Sequence, residues 1–262
     1  MVSAEKYSIN VTIVGAGNVA WHLGHTCYRS GMNIIRVINR SEPAGKDLAG
    51  ALRSGYSADF QTDLSDSDFI LVAVKDSVLG DVLHRIGPAQ AIILHTSGSL
   101  GIDIFPSENK NVGVLYPFQT LTRNFPADFS NLPLCIEAFD KNTLSTIRNF
   151  AGKLGSNIWE LSSEQRRYLH LSGIIVNNFT NHLAGQTFKF MEKHHLDRKL
   201  IMPLIKETIR KLDFISPEEA QTGPARRKDL NIVQKHLELL SDEPELKKLY
   251  SFLTDSIIAY YS

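Results

Sequence analysis

The chain is 262 residues long, 43% of them hydrophobic, and carries 28 basic and 28 acidic side chains. That length supplies a real core for one large domain or two of ordinary size, and a formal charge of zero gives no global field to draw the protein onto nucleic acid or an anionic membrane, so any anion binding has to be local. The two cysteines, Cys27 and Cys135, are too few for a disulfide framework and match no metal-ligand spacing, which points to a reducing compartment, the cytoplasm, and to no bound metal.

The chain opens MVSAEKYSINVTIVG, a short polar lead that passes straight into a strand without the apolar run of a signal peptide. Short β-branched runs then alternate with helical patterns, as parallel βαβ units do: INVTIVG, NIIRVIN, FILVAV, AIILHT and VGVLYP are strand candidates, with PLCIEA and SNIWEL as the last strands of the same sheet. Past Leu161 the strand signal vanishes. Leu171, Ile175, Phe179 and Leu183 recur every four residues, as do Leu200 and Leu204, with Ile201, Ile205 and Ile209 on the adjoining row. Ser216, Pro217 and Glu219 form a capping box, and Pro244 opens a last helix. The fold expected is α/β, a Rossmann-like, doubly wound, mostly parallel sheet over residues 1–161, followed by an all-α domain over residues 162–262. Residues 168–188, YLHLSGIIVNNFTNHLAGQTF, have the length of a membrane span, but three asparagines and two histidines argue for a buried helix in a soluble protein.

The first strand ends in Gly15-x-Gly17-x-x-Ala20 and runs into a helix. Gly15 permits a tight turn, Gly17 lets backbone approach a pyrophosphate, and Ala20 allows close packing of helix on strand. Unpaired N–H groups at the helix start add positive dipole, so Gly15, Ala16, Gly17, Asn18 and Val19 are the expected cofactor cradle. At the end of the second strand, where an NAD-selective site offers Asp or Glu to the ribose hydroxyls, stand Asn39, Arg40 and Ser41. A guanidinium and a hydroxyl suit a 2′-phosphate and a carboxylate would repel it, which favours NADP. Val74 and Lys75, then Thr96 and Ser97, follow later strands at the edge where an open α/β sheet binds its ligand.

On the long helix His170, Asn177 and Asn181 fall in one polar stripe, with Asn178 on a neighbouring row. A histidine there could protonate a substrate being reduced. Farther on, AQTGPARRKD breaks the helical pattern. Gly223 and Pro224 end one helix, Asp229 offers a carboxylate to the N-terminus of the next, and Arg226, Arg227 and Lys228 crowd positive charge beside the turn. One inward arginine would clamp a substrate carboxylate or a cofactor phosphate; the alternative is a solvated basic turn.

GAGNVAWHLG, LYPFQTLT, YLHLSGIIVNNFTNHL and TGPARRKDLNIVQKHL together resemble, over nearly the whole chain, the NADP oxidoreductases that join a Rossmann-like N-terminal domain to an uncharacterised helical C-terminal domain. That family is related in architecture to pyrroline-5-carboxylate reductase, the deazaflavin-dependent NADP reductases and the β-hydroxyacid dehydrogenases. The resemblance implies a cofactor cleft closed by a helical domain that also forms a homodimer. Its histidine and asparagine fall on His170 and Asn178, leaving Asn177 and Asn178 both open, and its turn element falls on Thr222, Gly223, Pro224, Arg227 and Asp229, with His236 following. Two positions depart from the pattern: Lys228 stands where the family has glycine, and Tyr116 where it has histidine. The long helix lacks the Lys-x-x-x-Asn pair of the β-hydroxyacid dehydrogenases. The function implied is transfer of hydride between NADP(H) and a small imine or carbonyl compound bearing a carboxylate, with His170, Asn178, Thr222, Arg227 and Asp229 as the catalytic set and no nucleic-acid or membrane partner. The rival readings are a non-catalytic NADP sensor and a structural dimer.

Overall fold

Strands built of apolar runs have to be covered on both faces, and helices returning over a parallel sheet do this. The computed structural model, which describes residues 8–262, has that arrangement; the polar lead falls outside the described residues. The first half runs β1 (Asn10–Val14), α1 (Asn18–Arg29), β2 (Asn33–Ile38), α2 (Glu42–Leu52), β3 (Gly55–Ser57), β4 (Phe69–Val72), α3 (Asp76–Ile86), β5 (Ile92–His95), β6 (Val112–Pro117), β7 (Leu134–Ala138), α4 (Lys141–Ala151) and β8 (Ile158–Glu160). The strands form one sheet in the order β3-β2-β1-β4-β5-β6-β7-β8. Neighbours are parallel except β6 and β7, which pair antiparallel with Tyr116 opposite Cys135.

Side chains alternate between the two faces with the strand period of two. Val11, Ile13 and Leu71 enter a core with Leu23, Cys27, Leu52, Ile147 and Phe150, from α1, α2 and α4. Val14, Ile70 and Val72 enter a second core with Leu79, Val82 and Leu83 from α3. The carboxyl ends of β1, β2, β4, β5 and β6 therefore share one edge. β3 is the strand the sequence reading lacks: three residues, Gly-Tyr-Ser, make no periodic signal.

The rest of the chain is helical: α5 (Ser163–Gly173), a π-helical stretch (Ile174–Phe179), α6 (Thr180–Lys193), α7 (Met202–Lys211), α8 (Pro217–Ala220), α9 (Leu230–Leu239) and α10 (Pro244–Tyr260). The Ser216 capping box forms, its hydroxyl accepting from the Glu219 N–H, and Pro244 opens α10. The chain divides into two compact units, the first ending at Asn177 and the second running Asn178–Ser262, so the border falls inside the π-helical stretch.

The stretch 168–188, expected to be buried, is helical but largely exposed: Leu171, Val176 and Phe179 all face solvent, Val176 at 70%. Leu200, Leu204, Ile209, Phe214 and Phe252 are exposed as well, while Met191, Ala225, Val233 and Leu240 are the buried apolar residues of the second unit. Helical periodicity marks which face is apolar; it does not say that the same chain covers that face. Among the described residues no helix is long and apolar enough to cross a membrane.

α5 is held to the sheet by Arg166, the largest fully buried side chain, at 1% exposure. Its guanidinium donates to a Glu137 carboxylate oxygen on β7, to the Ser97 carbonyl at 3.1 Å and to the Leu100 carbonyl at 2.7 Å. Glu137 also accepts from the Ser163 N–H and hydroxyl at the first turn of α5. Removing one partner of such a pair strands the other charge. Arg166→Met is expected to lower the free energy of unfolding by about 3–5 kcal/mol, read by urea denaturation, and Arg166→Met with Glu137→Leu to recover much of it; a loss under about 1 kcal/mol, the size of a surface pair, would contradict this.

Candidate active site

At the end of β1, Gly15 has φ +109°, and a Cβ there would lie 2.3 Å from the Ala73 carbonyl oxygen. No other residue fits that turn. Gly17 caps α1, and a Cβ on it would meet nothing within 4 Å. The first turn of α1 has no acidic residue and no side-chain cap, so its amide groups are offered to an anion, while Ala20 is fully buried against the sheet. This cradle fits a dinucleotide pyrophosphate.

Beside it, the Asn39 amide donates to the Ser41 carbonyl at 2.7 Å, and Tyr56 donates to the Asn39 carbonyl at 3.0 Å, fixing the turn after β2. Ser41 is the N-cap of α2, and no helix N–H donates to its hydroxyl. Arg40 is exposed and makes no ion pair among the described residues. Glu42, the nearby carboxylate, is bound to Lys46 at 2.6 Å, and that hydrogen bond holds its carboxyl below the usual range. A free guanidinium, a free hydroxyl and a helix start thus stand where a 2′-phosphate would be read. Lys75 caps α3 with its side chain exposed, and Val74 is partly buried beside it.

The loop after β5 is tied down throughout. The Ser97 hydroxyl accepts from the N–H groups of Ser99 and Leu100, and the His95 Nδ1 accepts from the Ser97 N–H at 3.2 Å. Thr96 and Ser97 are buried, so Ser97 shapes the loop as well as lining the edge. Burial, helped by the Arg166 charge, pushes His95 down to about 3, keeping it neutral.

Against this loop lies a side-chain pair. The Tyr116 hydroxyl, at the carboxyl end of β6, is 2.9 Å from His170 Nδ1 on α5, with the rings edge to face. A Cβ on Gly98 would lie 2.7 Å from His170 Nδ1 and from Tyr116 Cζ, so glycine alone lets the loop reach both. Burial pushes the Tyr116 phenol up to about 12, and it stays protonated at neutral pH. Where the family pattern has histidine, Tyr116 keeps a proton-bearing group. The pair is a general-acid arrangement, with a phenol able to give up a proton and an imidazole able to return one.

The second unit carries the other expected residues. Asn178 is its first residue, and a straight-helix count from His170, which favoured Asn177, does not apply across π-helical residues. In the basic turn the Asp229 N–H donates to the Pro224 carbonyl, and the Asp229 carboxylate accepts from the Ile232 N–H at 3.2 Å, capping α9 as expected. Lys228 has φ +56°, the left-handed conformation glycine adopts freely, so the departure from the family's glycine is a matter of backbone. Arg226 covers the Tyr261 ring. Arg227 is exposed with no hydrogen bond or ion pair among the described residues, and Thr222 is exposed. His236 pairs with Tyr250 through Nδ1 at 2.7 Å.

Sequence reasoning missed Arg166, Glu137 and His95. A signal for Arg166 was present: the Ser162–Gln165 capping box sets the phase of α5 and puts residues 166 and 170 on one row.

Residues 10–97 match the model of the coenzyme F420-dependent NADP oxidoreductases, and residues 132–257 match a domain of unknown function. A Bacteroides fragilis structure, provisionally named an NADP oxidoreductase, is 32% identical, with 96% of this chain and 98% of that one covered and a TM-score of 0.89. An imine reductase from Myxococcus stipitatus in complex with NADP+ shares the fold at 13% identity, covering 95% and 92% of the chains with TM-score 0.62. So does the 1-pyrroline-5-carboxylate reductase of Streptococcus pyogenes at 14%, covering 96% and 99% with TM-score 0.62. No curated protein matches.

The free Arg40 and Ser41 make cofactor selectivity testable. Calorimetric titration is expected to show NADPH binding at least about tenfold tighter than NADH, roughly one charge-assisted contact's worth, and Arg40→Asp to level or reverse the ratio. An unchanged ratio in Arg40→Asp would remove Arg40 from phosphate recognition.

Proposed function

The chain belongs to the NADP oxidoreductase family in which a Rossmann-like cofactor domain precedes a helical domain of unknown function, and we propose that it reduces a small, carboxylate-bearing C=N or C=O compound with NADPH. The observation that carries this reading is the hydrogen bond between Tyr116 and His170 at the sheet edge where the cofactor cradle also lies. Gly15, Ala16, Gly17, Asn18 and Val19 would hold the pyrophosphate, Asn39, Arg40 and Ser41 the 2′-phosphate, and Val74, Lys75, Thr96 and Ser97 the remaining cofactor edge.

When bound, NADPH supplies a hydride; the chain supplies the rest. In this reading His170, with its proton on Nδ1, donates to the Tyr116 oxygen and leaves the phenol hydrogen directed at the substrate heteroatom. As that proton leaves Tyr116, the one on Nδ1 replaces it while Nε2 takes a proton from solvent, so the imidazole stays neutral and only its tautomer changes. The raised phenol pKa of about 12 favours this order, because Tyr116 does not ionise on its own. Arg227, without an ion-pair partner, would take the substrate carboxylate, with Thr222 beside it on the turn, Asp229 bracing the turn as helix cap and Asn178 orienting the ligand. The exposed apolar residues of the helical unit support a homodimer through that unit, since an unpartnered surface of this kind marks an association site.

The test is steady-state reduction of a panel of cyclic imines and 2-oxo acids by the form that sediments at twice 29.3 kDa. Tyr116→Phe and His170→Asn are each expected to lower kcat by roughly 10²–10⁴ with NADPH affinity unchanged, and the double variant to be no slower than the worse single, because the pair acts as one unit. Arg227→Ala should lower kcat/KM for the acid substrates. Multiplying effects in the double variant, or full activity in Tyr116→Phe, would defeat the relay; NADPH binding without turnover of any substrate would leave a sensor.

A further inference from the structure

The turn that answers least to the cofactor chemistry, at residues 222–225, borders a cavity of about 250 Å³ inside the helical unit, whose walls include Thr222, Pro224, His236, Tyr250, Leu253 and Ile257. We infer that this cavity is a side-group pocket for the substrate, shaped for an uncharged apolar ring or branched chain that carries one hydrogen-bonding atom. The inference rests on the reductase reading and narrows its substrate to imino or oxo acids with an apolar side group.

Size is the first argument. Sites that engulf a whole drug-sized ligand run to roughly 300–1,000 Å³, so this cavity suits part of a molecule, too small for the dinucleotide and ample for a side group. Charge is the second. Among the described residues no Lys, Arg, Asp or Glu lines it, and a charged group entering would lose its hydration without a counter-ion. The third is the placement of polar atoms. His236 Nδ1 and the Tyr250 hydroxyl, 2.7 Å apart, already satisfy one another, which leaves His236 Nε2 as the imidazole atom available to a guest. The fourth is position: Arg227, the free guanidinium assigned above to the carboxylate, follows three residues after the Pro224 of the pocket wall, on a turn held by the Asp229–Pro224 backbone bond. Every lining residue belongs to the second unit, so the pocket is a property of the helical fold itself.

The competing account makes the His236–Tyr250 pair only a strut between α9 and α10, and a guest decides between them. Full-length protein labelled in its histidine rings is titrated with phenol, a ring bearing one hydroxyl, and with benzylammonium, a ring bearing a charge, and NADPH affinity is measured on the same samples. The expected result is a saturable shift of the His236 ring signals by phenol and none by benzylammonium. Ile257→Trp, which fills the cavity, should abolish the phenol shift with NADPH affinity unchanged; Leu253→Phe, from a partly exposed position, gives the same test if the first variant fails to fold. Saturation by benzylammonium, an unaltered phenol shift in a folded filled variant, or no shift in wild type overturns the pocket, the last also being the result if a second copy of the chain already occupies it. A wild type that binds NADPH but gives no phenol response defeats the pocket alone, whereas failure of wild type to bind NADPH defeats the reductase reading.

Discussion

A single buried guanidinium organises the edge of the sheet that carries the candidate site. Arg166 lies in the first turns of α5, yet its hydrogen bonds go to β7 through Glu137 and to the loop after β5 through the Ser97 and Leu100 carbonyls. Burying a charge is unfavourable unless its partners are complete, and here they come from a strand and a loop separate from the helix that carries it, so the charge is satisfied in one arrangement of helix, strand and loop. His170 follows one turn later on the same helix row, and Gly98 sits in the loop that Arg166 holds. The contact of Gly98 with both Tyr116 and His170 is thereby inherited from an ion pair that touches neither. Such a pair is weak evidence for stability in itself and better evidence for specifying a unique geometry.

Around that fixed corner the electrostatics are local. The protein as a whole carries no net charge, but the amide groups at the start of α1, the unpaired Arg40 and the uncommitted Ser41 hydroxyl gather positive potential where an anionic cofactor is expected. Neighbouring titratable groups are kept out of the way: Glu42 is engaged by Lys46, His95 is held neutral by burial, and burial raises the Cys135 thiol opposite Tyr116 to about 11. At this corner the Tyr116 phenol, kept protonated by burial, is hydrogen-bonded to His170.

The sequence was most legible where a single period governed it. Apolar runs located seven of the eight strands, and strand, glycine spacing and helix start together located the cofactor cradle. β3, three residues with a glycine, carries no period, and the antiparallel β6–β7 pairing leaves the same apolar run as a parallel one would. Helical periodicity found the helices after residue 161 but misjudged residues 168–188 as buried, because an apolar stripe says which face is apolar and not whether the same chain covers it. The count that favoured Asn177 assumed an unbroken α-helix, which the π-helical stretch interrupts. Lys228, which stands where the family pattern has glycine, is a non-glycine residue in a left-handed turn, a backbone conformation that the sequence does not display. Arg166 and Arg167 look alike in sequence; only the helix phase tells the buried one from the exposed one.

The central claim is that a hydride reaches a carbon of the substrate while the chain delivers the proton. It is tested most directly by incubating the protein with NADPH deuterated at the transferable position of the nicotinamide, together with pooled cyclic imines and 2-oxo acids. Mass spectrometry then follows the label. The account predicts an amine or hydroxy acid heavier by about one mass unit, the signature of direct hydride transfer, formed by wild type and strongly diminished in Tyr116→Phe. NADPH that binds but keeps its deuterium, with every compound in the pool unaltered, would contradict it.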